Sequence, residues 1–476
     1  MRTRYLGSAS ATLFMLLAGC NVQDGSAQNQ AAQGRSVGSA SWEGNDTREQ
    51  LRQAIEGRAA HGLDKMSFGD AAENDDQLTQ QALAYARALA RGATDPAKIY
   101  EVYTVPRPDP DLKQGLAAAL RSGDVKGWLA SLAPQDPAYA RLSQAYLKLR
   151  QQPGAGADIP DAGEPIKPGA SDPRLPTIVR QLVILDYLEP GAAQGDRYTP
   201  AMAEAVKAMQ ADYGMNADGV IGQEVLAILN MSDVDRARAF AVAMERMRWL
   251  ERDPPATRID VNLAAARLTY WRDGKQVDSR KVVVGEPDNE TPQLGSPIFR
   301  LVANPTWTVP RSIQEEEIAG KGEGYMKAND MVWKDGWIVQ QPGPKNSLGL
   351  VKFDMQNDHA IYLHDTPAKS LFGKIQRQRS HGCVRVEDAL GFAEMLAREE
   401  GVLDEWRKAR ATGEETFVKL PRQIPVRMLY HTVLFDGGEP IVRNDPYGWD
   451  DEVGAALGFK AGKALRVRTD QADIGP

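Results

Sequence analysis

Cysteine and histidine are scarce in this chain, and long apolar runs are lacking. Its 476 residues include two cysteines, Cys20 and Cys383, and five histidines. Two cysteines exclude a disulfide-built fold and a zinc site of repeated cysteines, because both need more thiols. Beyond the N-terminus no segment approaches the roughly 20 apolar residues that span a bilayer. The net charge of -7 gives no sign of the basic surface that is typical of nucleic-acid-binding proteins.

The bulk composition is that of ordinary folded protein. Hydrophobic residues make up 42% of the chain and charged residues 25%, which is usual for soluble globular domains. A chain of 476 residues favours about two to four domains over one.

The first twenty residues have the pattern of an export signal. Arg2 and Arg4 precede a short apolar run at 11–17, and Leu17-Ala18-Gly19-Cys20 follows. This string resembles the lipobox of bacterial lipoproteins, in which the signal peptide is cut before a cysteine that then carries lipid. The resemblance implies a signal peptide over 1–19, lipidation of Cys20, and attachment to a membrane in the periplasm. Asn21 after the cysteine favours the outer membrane.

Composition and periodicity divide the rest of the chain. Residues 20–44 are rich in Gln, Ser, Gly and Ala and predict a flexible tether. Residues 45–150 show apolar residues at helical spacing and predict a helical scaffold domain. Residues 151–173 are rich in Gly, Pro and Ala and predict a linker or long surface loop. Residues 456–476 predict a frayed tail.

Residues 174–231 predict three short helices. Thr199-Pro200 suits a helix start, with Thr as the cap and Pro at the first helical position. The turn Asp218-Gly219-Val220-Ile221-Gly222 follows the second helix. Together with Met209-Gln210, these strings resemble the small peptidoglycan-binding domain of many cell-wall enzymes. Met209 stands where that domain usually has an aromatic residue, which a core position tolerates.

Residues 232–455 predict a helix at 233–250 followed by a β-rich domain. Asp273-Gly274 is a hairpin signal between two strand-like runs. A further helix is expected at 388–400, after the string that carries the chemistry.

That string is Ser380-His381-Gly382-Cys383-Val384-Arg385, preceded at a separation of sixteen residues by His364. Acyl transfer by a thiol needs an imidazole to assist ionisation and backbone N–H groups for the oxyanion. Gly382 allows close backbone approach beside the thiol, and Arg385 is suited to hold a substrate carboxylate. If Cys20 carries lipid, Cys383 has no thiol partner in the chain, and chemistry is one reason to retain it.

The segment from 248 to about 448 resembles the L,D-transpeptidase catalytic domain, and more narrowly the large multidomain enzymes of Gram-negative envelopes. The strings that carry the resemblance include Met247-Arg248-Trp249-Leu250, Glu290-Thr291-Pro292, 304–313, 341–349 and the Cys383 string itself. The resemblance implies a multidomain α+β protein with a β-sandwich-like catalytic domain. No cofactor and no metal are expected, since no metal-ligand spacing is present.

The resemblance also implies the roles of the site residues. Cys383 attacks the carbonyl before the terminal D-Ala of a donor tetrapeptide stem, and a thioester forms as D-Ala leaves. An amine of a second stem then resolves the thioester into a 3→3 cross-link. The implied base is His364, oriented by a backbone carbonyl, with His381 tuning the thiol. The implied oxyanion and substrate groups are the N–H groups of Gly382 and Cys383, the Tyr362 hydroxyl, Ser380 and Arg385.

Several alternatives stay open at this level. Water as acceptor would make the protein an L,D-carboxypeptidase, and a protein amine would make it tether an envelope protein to the wall. A non-catalytic wall-anchoring lipoprotein is a further reading, and a buried Cys–His pair in the core is the plainest. A papain-like protease is disfavoured, because there the Cys precedes its His.

Some residues are expected to lie outside the chemistry. His61, His359 and His431 are expected to be structural or exposed. Trp307 and Trp337 suit either a substrate groove or the core. Between 313 and 341 the related multidomain enzymes carry a lid-like insertion, and here the stretch looks short, which leaves the function of a lid open.

Overall fold

The computed structural model describes residues 42, 45–69, 72, 74–151, 154, 156–161, 163–318, 320–435 and 438–462. Cys20, the predicted tether up to residue 41 and the tail from 463 lie outside the described residues. The described part combines helices with a β-rich C-terminal region, and the predicted multidomain α+β class is confirmed. No helix within it combines the length and apolarity that crossing a bilayer requires.

The N-terminal part is helical, as predicted. Side-chain caps start its helices: the Asp111 carboxylate accepts from the Gln114 N–H, and the Asp124 carboxylate accepts from the Gly127 N–H. The predicted apolar face of the second helix is buried. The helices are α1 Asn45–Glu56, α2 Asp75–Arg91, α3 Pro96–Ile99, α4 Leu112–Ser122, α5 Val125–Leu132 and α6 Pro137–Gln151, with a 3₁₀ turn at Gly57–His61.

Three helices follow, α7 Leu175–Ile184, α8 Pro200–Asp212 and α9 Gln223–Leu229, and confirm the three-helix prediction. Thr199 caps α8 by accepting from the Met202 N–H at 3.3 Å. Gln210 explains the Asp-Gly turn: its Nε2 donates to the Val220 carbonyl at 3.0 Å and its Oε1 accepts the Gly219 N–H at 2.8 Å. Gly219 has a φ of +75°, which favours glycine there.

The segment at 151–173 is irregular, but part of it packs against this three-helix unit. Ile159 and Ile166 are each 2% exposed. Asn230 Oδ1 accepts the Ile159 N–H at 2.8 Å, and Asn230 Nδ2 donates to the Ile159 carbonyl at 2.9 Å. The described part of this segment therefore contributes side chains to the core, which its composition did not indicate.

Helix α10 Asp233–Trp249 carries a buried ion pair that joins it to the N-terminal helices. Glu245 and Arg248 are both fully buried and lie 2.6 Å apart. Arg248 also donates to the Tyr139 hydroxyl at 2.6 Å, and Glu245 accepts from the Thr94 N–H at 2.7 Å. Because every charged atom in such a site must be paired, the network fixes how α10 docks on the scaffold.

The β-rich part is built on one nine-stranded sheet in the order β10-β3-β11-β9-β8-β4-β12-β1-β2, with β2 also pairing to β3. Its strands are β1 Arg258–Asn262, β2 Arg267–Arg272, β3 Lys275–Gly285, β4 Gly295–Ala303, β8 Val351–Met355, β9 Leu363–His364, β10 Gln378–Ser380, β11 Val384–Val386 and β12 Thr416–Leu429. The other strands are β5 Trp307–Thr308, β6 Met331–Lys334, β7 Trp337–Gln340, β13 Val433–Phe435 and β14 Pro440–Val442. The helices here are α11 Arg311–Ile313, α12 Gly322–Ala328, α13 Ala389–Glu399, α14 Leu403–Ala411 and α15 Trp449–Ala456.

The length of β3 closes this sheet on itself. Its first part pairs with β2 across the predicted Asp273-Gly274 turn, while Val282 and Val283 pair with β11. Strand β3 therefore pairs with strands near both ends of the strand order. The predicted sandwich-like arrangement is a single sheet that closes on itself. The helix α13, capped by Asp388, covers it at the predicted place.

The stretch that looked too short for a lid forms a small subdomain of its own. Strands β5, β7 and β6 make a separate three-stranded sheet, and a π-helical turn at Gln314–Ile318 and α12 lie between them in the chain. Its apolar cluster includes Trp307, Val309 and Ile338 and packs against Tyr362. The sequence did not indicate this subdomain, because the segment is divided among pieces of two to seven residues that are each too short to show periodicity.

We expect Glu245→Ala to lower the free energy of unfolding by about 3–5 kcal/mol, because it leaves Arg248 buried without its carboxylate. Urea unfolding followed by tryptophan fluorescence measures this. The matched control is Glu204→Ala, which removes an exposed ion pair with Lys207 at 2.9 Å and should cost about 0–1 kcal/mol. Equal losses in the two variants would contradict the role given to the buried pair.

Candidate active site

Strand pairing brings the separated histidine and cysteine strings together. Cys383 lies in the tight connection between β10 and β11, and β11 runs parallel to β9 with Arg385 opposite His364. The Val384 N–H donates to the Tyr362 carbonyl at 3.1 Å, which places the thiol beside the start of β9. Eighteen residues lie between His364 and Cys383 in sequence, yet strands β9 and β11 are neighbours in the sheet.

Two buried hydroxyls hold the Cys383 loop through its backbone. Thr291 Oγ1 donates to the Gly382 carbonyl at 2.7 Å and accepts the Gly285 N–H at 2.8 Å. Ser380 Oγ donates to the Cys383 carbonyl at 2.6 Å. Gly382 has a φ of +112°, a conformation that strains residues with a Cβ, so glycine is required beside the thiol.

Cys383 is 8% exposed and opens onto a cavity of about 510 Å³. His381, Tyr362 and Ala360 line the cavity on the side of the loop. The small subdomain contributes the opposite side, and its lining residues are Trp307, Thr308, Pro310 and Ile313. A volume of this size is typical of a site for a small ligand or a peptide segment.

His364 is fully buried, and its ring is oriented as predicted. Nδ1 lies 2.5 Å from the Asp365 carbonyl oxygen, which fixes Nδ1 as the protonated nitrogen and leaves a lone pair on Nε2. Nε2 is buried without a hydrogen-bond partner among the described residues. Burial and then the nearby Arg385 charge lower the pKa of His364 to about 3, so the ring is neutral at physiological pH.

The thiol is also held in its neutral form. Burial raises the pKa of Cys383 above its ordinary value, although the N–H and hydroxyl of Tyr362 oppose the rise by favouring the thiolate. Cys383 Sγ lies 3.6 Å from the Ala360 carbonyl, to which it donates. The pKa of Tyr362 is raised well above its usual value by burial and by Cys383, so its hydroxyl remains a donor.

The other predicted site residues divide into two groups. His381 and Tyr362 lie at the cavity with Cys383, whereas Ser380 and Arg385 are 0% and 1% exposed and do not line it. Ser380 therefore acts on the loop backbone, and Arg385 presents no guanidinium to a ligand in this arrangement. The Gly382 N–H donates to Ser380 Oγ at 3.3 Å.

Sequence reasoning missed three residues with a place in this site. Thr291 braces the loop, and its only signal was the string Glu290-Thr291-Pro292. Lys352 and Asp354 line the cavity, 2.7 Å apart, and no motif marked them. Of the two tryptophans, Trp307 lines the cavity and Trp337 does not, since it stacks under Arg311 at 4.1 Å on the subdomain surface.

Comparison with known proteins identifies the β-rich part. Residues 256–416 match the model of the L,D-transpeptidase catalytic domain, and residues 171–229 match that of a putative peptidoglycan binding domain. Residues 36–145 match a scaffold domain. The match shows an L,D-transpeptidase catalytic domain in this part of the chain.

A putative L,D-transpeptidase of Haemophilus influenzae is 30% identical to this chain over 226 residues. The match covers 42% of this chain and 45% of the relative, less than half of either. Among solved structures, an L,D-transpeptidase from Stackebrandtia nassauensis is 15% identical, covering 57% of this chain and 97% of its own, with a TM-score of 0.23. One from Xylanimonas cellulosilytica is 16% identical, covering 56% and 99%, with a TM-score of 0.20. Neither likeness supports a residue-by-residue assignment.

The raised pKa of Cys383 predicts the pH dependence of its alkylation. Below its pKa the thiol is neutral and the rate with iodoacetamide should fall about tenfold per pH unit, with an inflection above the value of about 8.5 for free cysteine. Protein starting after Cys20 has one thiol, so the rate reports on Cys383, and Cys383→Ala is the control. An inflection at or below pH 7 would instead indicate a thiolate paired with an imidazolium.

Removal of the Thr291 hydroxyl should destabilise the protein. Thr291→Val keeps the shape but leaves the Gly382 carbonyl and the Gly285 N–H without their partner, which should cost roughly 1–3 kcal/mol in the free energy of unfolding. Thr291→Ser retains the hydroxyl and should lose much less. Urea unfolding of both variants measures the difference, and a serine variant as unstable as the valine variant would count against the hydrogen bonds.

Proposed function

We propose that this protein is a peptidoglycan L,D-transpeptidase that forms 3→3 cross-links between stem peptides through a thioester on Cys383. One observation carries the proposal: Cys383 lines a cavity, and His364 Nε2, on the adjoining strand, is buried with no hydrogen-bond partner among the described residues. Burying an imidazole nitrogen without a hydrogen-bond partner costs free energy. Acyl transfer by a thiol uses a neutral imidazole near the thiol as its base.

In the first step, Cys383 Sγ attacks the carbonyl carbon that precedes the terminal D-Ala of a donor tetrapeptide. The thiol proton passes to His364 Nε2, whose lone pair is available because Nδ1–H is directed to the Asp365 carbonyl. The C–N bond to D-Ala breaks, the leaving amine takes the proton, and the thioester remains. The Tyr362 hydroxyl, a donor beside Cys383, is suited to stabilise the oxyanion.

In the second step, the side-chain amine of an acceptor stem attacks the thioester carbonyl. His364 takes the proton from that amine and returns it to the departing sulfur. A new amide bond replaces the thioester, and the free thiol is restored. His381, at the cavity wall with Cys383, is assigned to orienting or tuning the thiol.

Peptidoglycan is the proposed partner on two grounds. The three-helix unit matches a putative peptidoglycan binding domain, and the relative in Haemophilus influenzae is named a putative L,D-transpeptidase. We further propose that Cys20 carries lipid and holds the protein in the periplasm at the outer membrane. The string Leu17-Ala18-Gly19-Cys20 supports this anchor.

The test incubates protein that starts after Cys20 with a disaccharide-tetrapeptide. The products are identified by mass spectrometry. Wild type is expected to give a dimer that has lost one D-Ala, and Cys383→Ala none. Tripeptide alone would reassign the protein as an L,D-carboxypeptidase. No turnover with intact wall binding would favour a wall-anchoring lipoprotein.

We expect His364→Gln to lower the cross-linking rate by roughly 10²–10⁴-fold, because glutamine cannot take the thiol proton. The rate is read from the same dimer by mass spectrometry. The matched control is His61→Gln, which removes a half-buried imidazole whose partner is the Tyr139 hydroxyl at 3.0 Å. That control is expected to change stability and leave the rate near wild type, so equal losses of rate in both variants would contradict the role of His364 as base.

A further inference from the structure

A second concave surface lies where the three-helix unit meets the β-rich domain, and we name it the cationic cleft. Its volume is about 410 Å³. The end of α8 and the following turn form one wall, and the segment before β10 forms another. The charged residues that define the cleft are Arg267, Lys281, Lys374, Arg377 and Arg443.

The charge of this cleft is opposite to that of the chain. The cleft lining has five cationic side chains and one carboxylate, Glu224, whereas the whole chain has a net charge of -7. Arg267, Lys281 and Lys374 form no ion pair with a carboxylate of the described residues. Outside the lining, Glu387 accepts the Lys281 backbone N–H at 3.3 Å. Burial and the Asp218 charge raise the pKa of Glu224.

The floor of the cleft is held by side-chain hydrogen bonds to the backbone. Arg377 uses its guanidinium to bind the backbone rather than solvent, and it donates to the carbonyls of Val282, Lys374, Ile375, Ala265 and Ala266. Gln378 donates from Nε2 to the carbonyls of Leu263 and Ala264, at 3.0 Å each. A cationic surface with these anchors is preorganised, so a ligand would not have to order it.

Cations on a surface are ordinarily just solvated, but this arrangement carries an electrostatic cost. Arg377 is partly buried. Burial lowers the pKa of its guanidinium, and the nearby positive charge of Arg267 lowers that pKa further. Like charges held together in a concave, partly desolvated site repel each other, and clefts of one sign concentrate counter-ions. An anionic group bound there would relieve this repulsion.

We propose that the cationic cleft binds a carboxylate-bearing stem peptide of peptidoglycan, so that the three-helix unit and the catalytic domain hold the same strand. This inference rests on the proposed function, because stem peptides are its substrate. The cleft wall leads directly to the thiol: Cys383 lies five positions after Gln378, at most about 17 Å of extended chain. A stem held in the cleft therefore lies within reach of a neighbouring stem at the cavity.

The test measures amide hydrogen exchange of Cys383→Ala protein with and without a disaccharide-tetrapeptide. Backbone at 211–215 and 373–377 is expected to become protected with the free-carboxylate ligand and not with a ligand whose carboxylates are amidated. Arg267→Glu with Lys374→Glu should abolish that protection and weaken binding about tenfold or more. Lys98→Glu with Lys334→Glu changes the net charge equally at exposed distant positions and should leave both unchanged.

The outcomes separate this inference from the proposed function. Protection that survives the charge reversal, or that the amidated ligand produces equally, would overturn the cleft assignment, while protection around 358–364 would still report on the cavity. If inorganic phosphate protects the cleft as strongly as the disaccharide-tetrapeptide does, the cleft is a general anion site. That result would also overturn the proposal. Cross-linking by wild type is measured separately, so failure there contradicts the proposed function alone.

Discussion

The candidate active site depends on the hydrogen bonds that two buried hydroxyls make to the Cys383 loop. Thr291 joins the Gly382 carbonyl to the end of β3, and Ser380 holds the Cys383 carbonyl from the end of β10. Both hydroxyls are 0% exposed, so water does not compete for these bonds. They hold a glycine at positive φ and keep the thiol against β9, where the imidazole lies.

This fixed, desolvated setting has an electrostatic consequence. Burial disfavours both the thiolate and the imidazolium, since the pKa of Cys383 is raised and that of His364 is lowered to about 3. The resting pair is therefore a neutral thiol and a neutral imidazole. Such a pair is less nucleophilic than an ion pair and less open to chance oxidation. Under the proposed function, the proton would pass from the thiol to the imidazole during the reaction itself.

Helix starts and turns were predicted from short stretches of sequence. The Thr199-Pro200 cap, the Asp273-Gly274 turn and the helix after Asp388 lie where they were expected, because each depends on a few adjacent residues. The string around Cys383 and the earlier His364 lie on neighbouring strands, with Arg385 opposite His364. The remaining features depend on distant pairing: Thr291 lies 91 residues before Gly382, and the burial of Arg385 follows from its strand lying between β9 and β3. The subdomain around β5, β7 and β6 was missed because its stability comes from a shared apolar cluster rather than from any one segment.

The central claim is that Cys383 carries the acyl group. The most direct measurement is the intact mass of wild-type protein quenched in acid during turnover of a tetrapeptide donor, followed by peptide mapping. The account predicts a mass increase equal to the donor less D-Ala, located on the peptide that contains Cys383 and removed by hydroxylamine. Cross-linked product formed with no adduct on that peptide, or with the adduct on another residue, would contradict it.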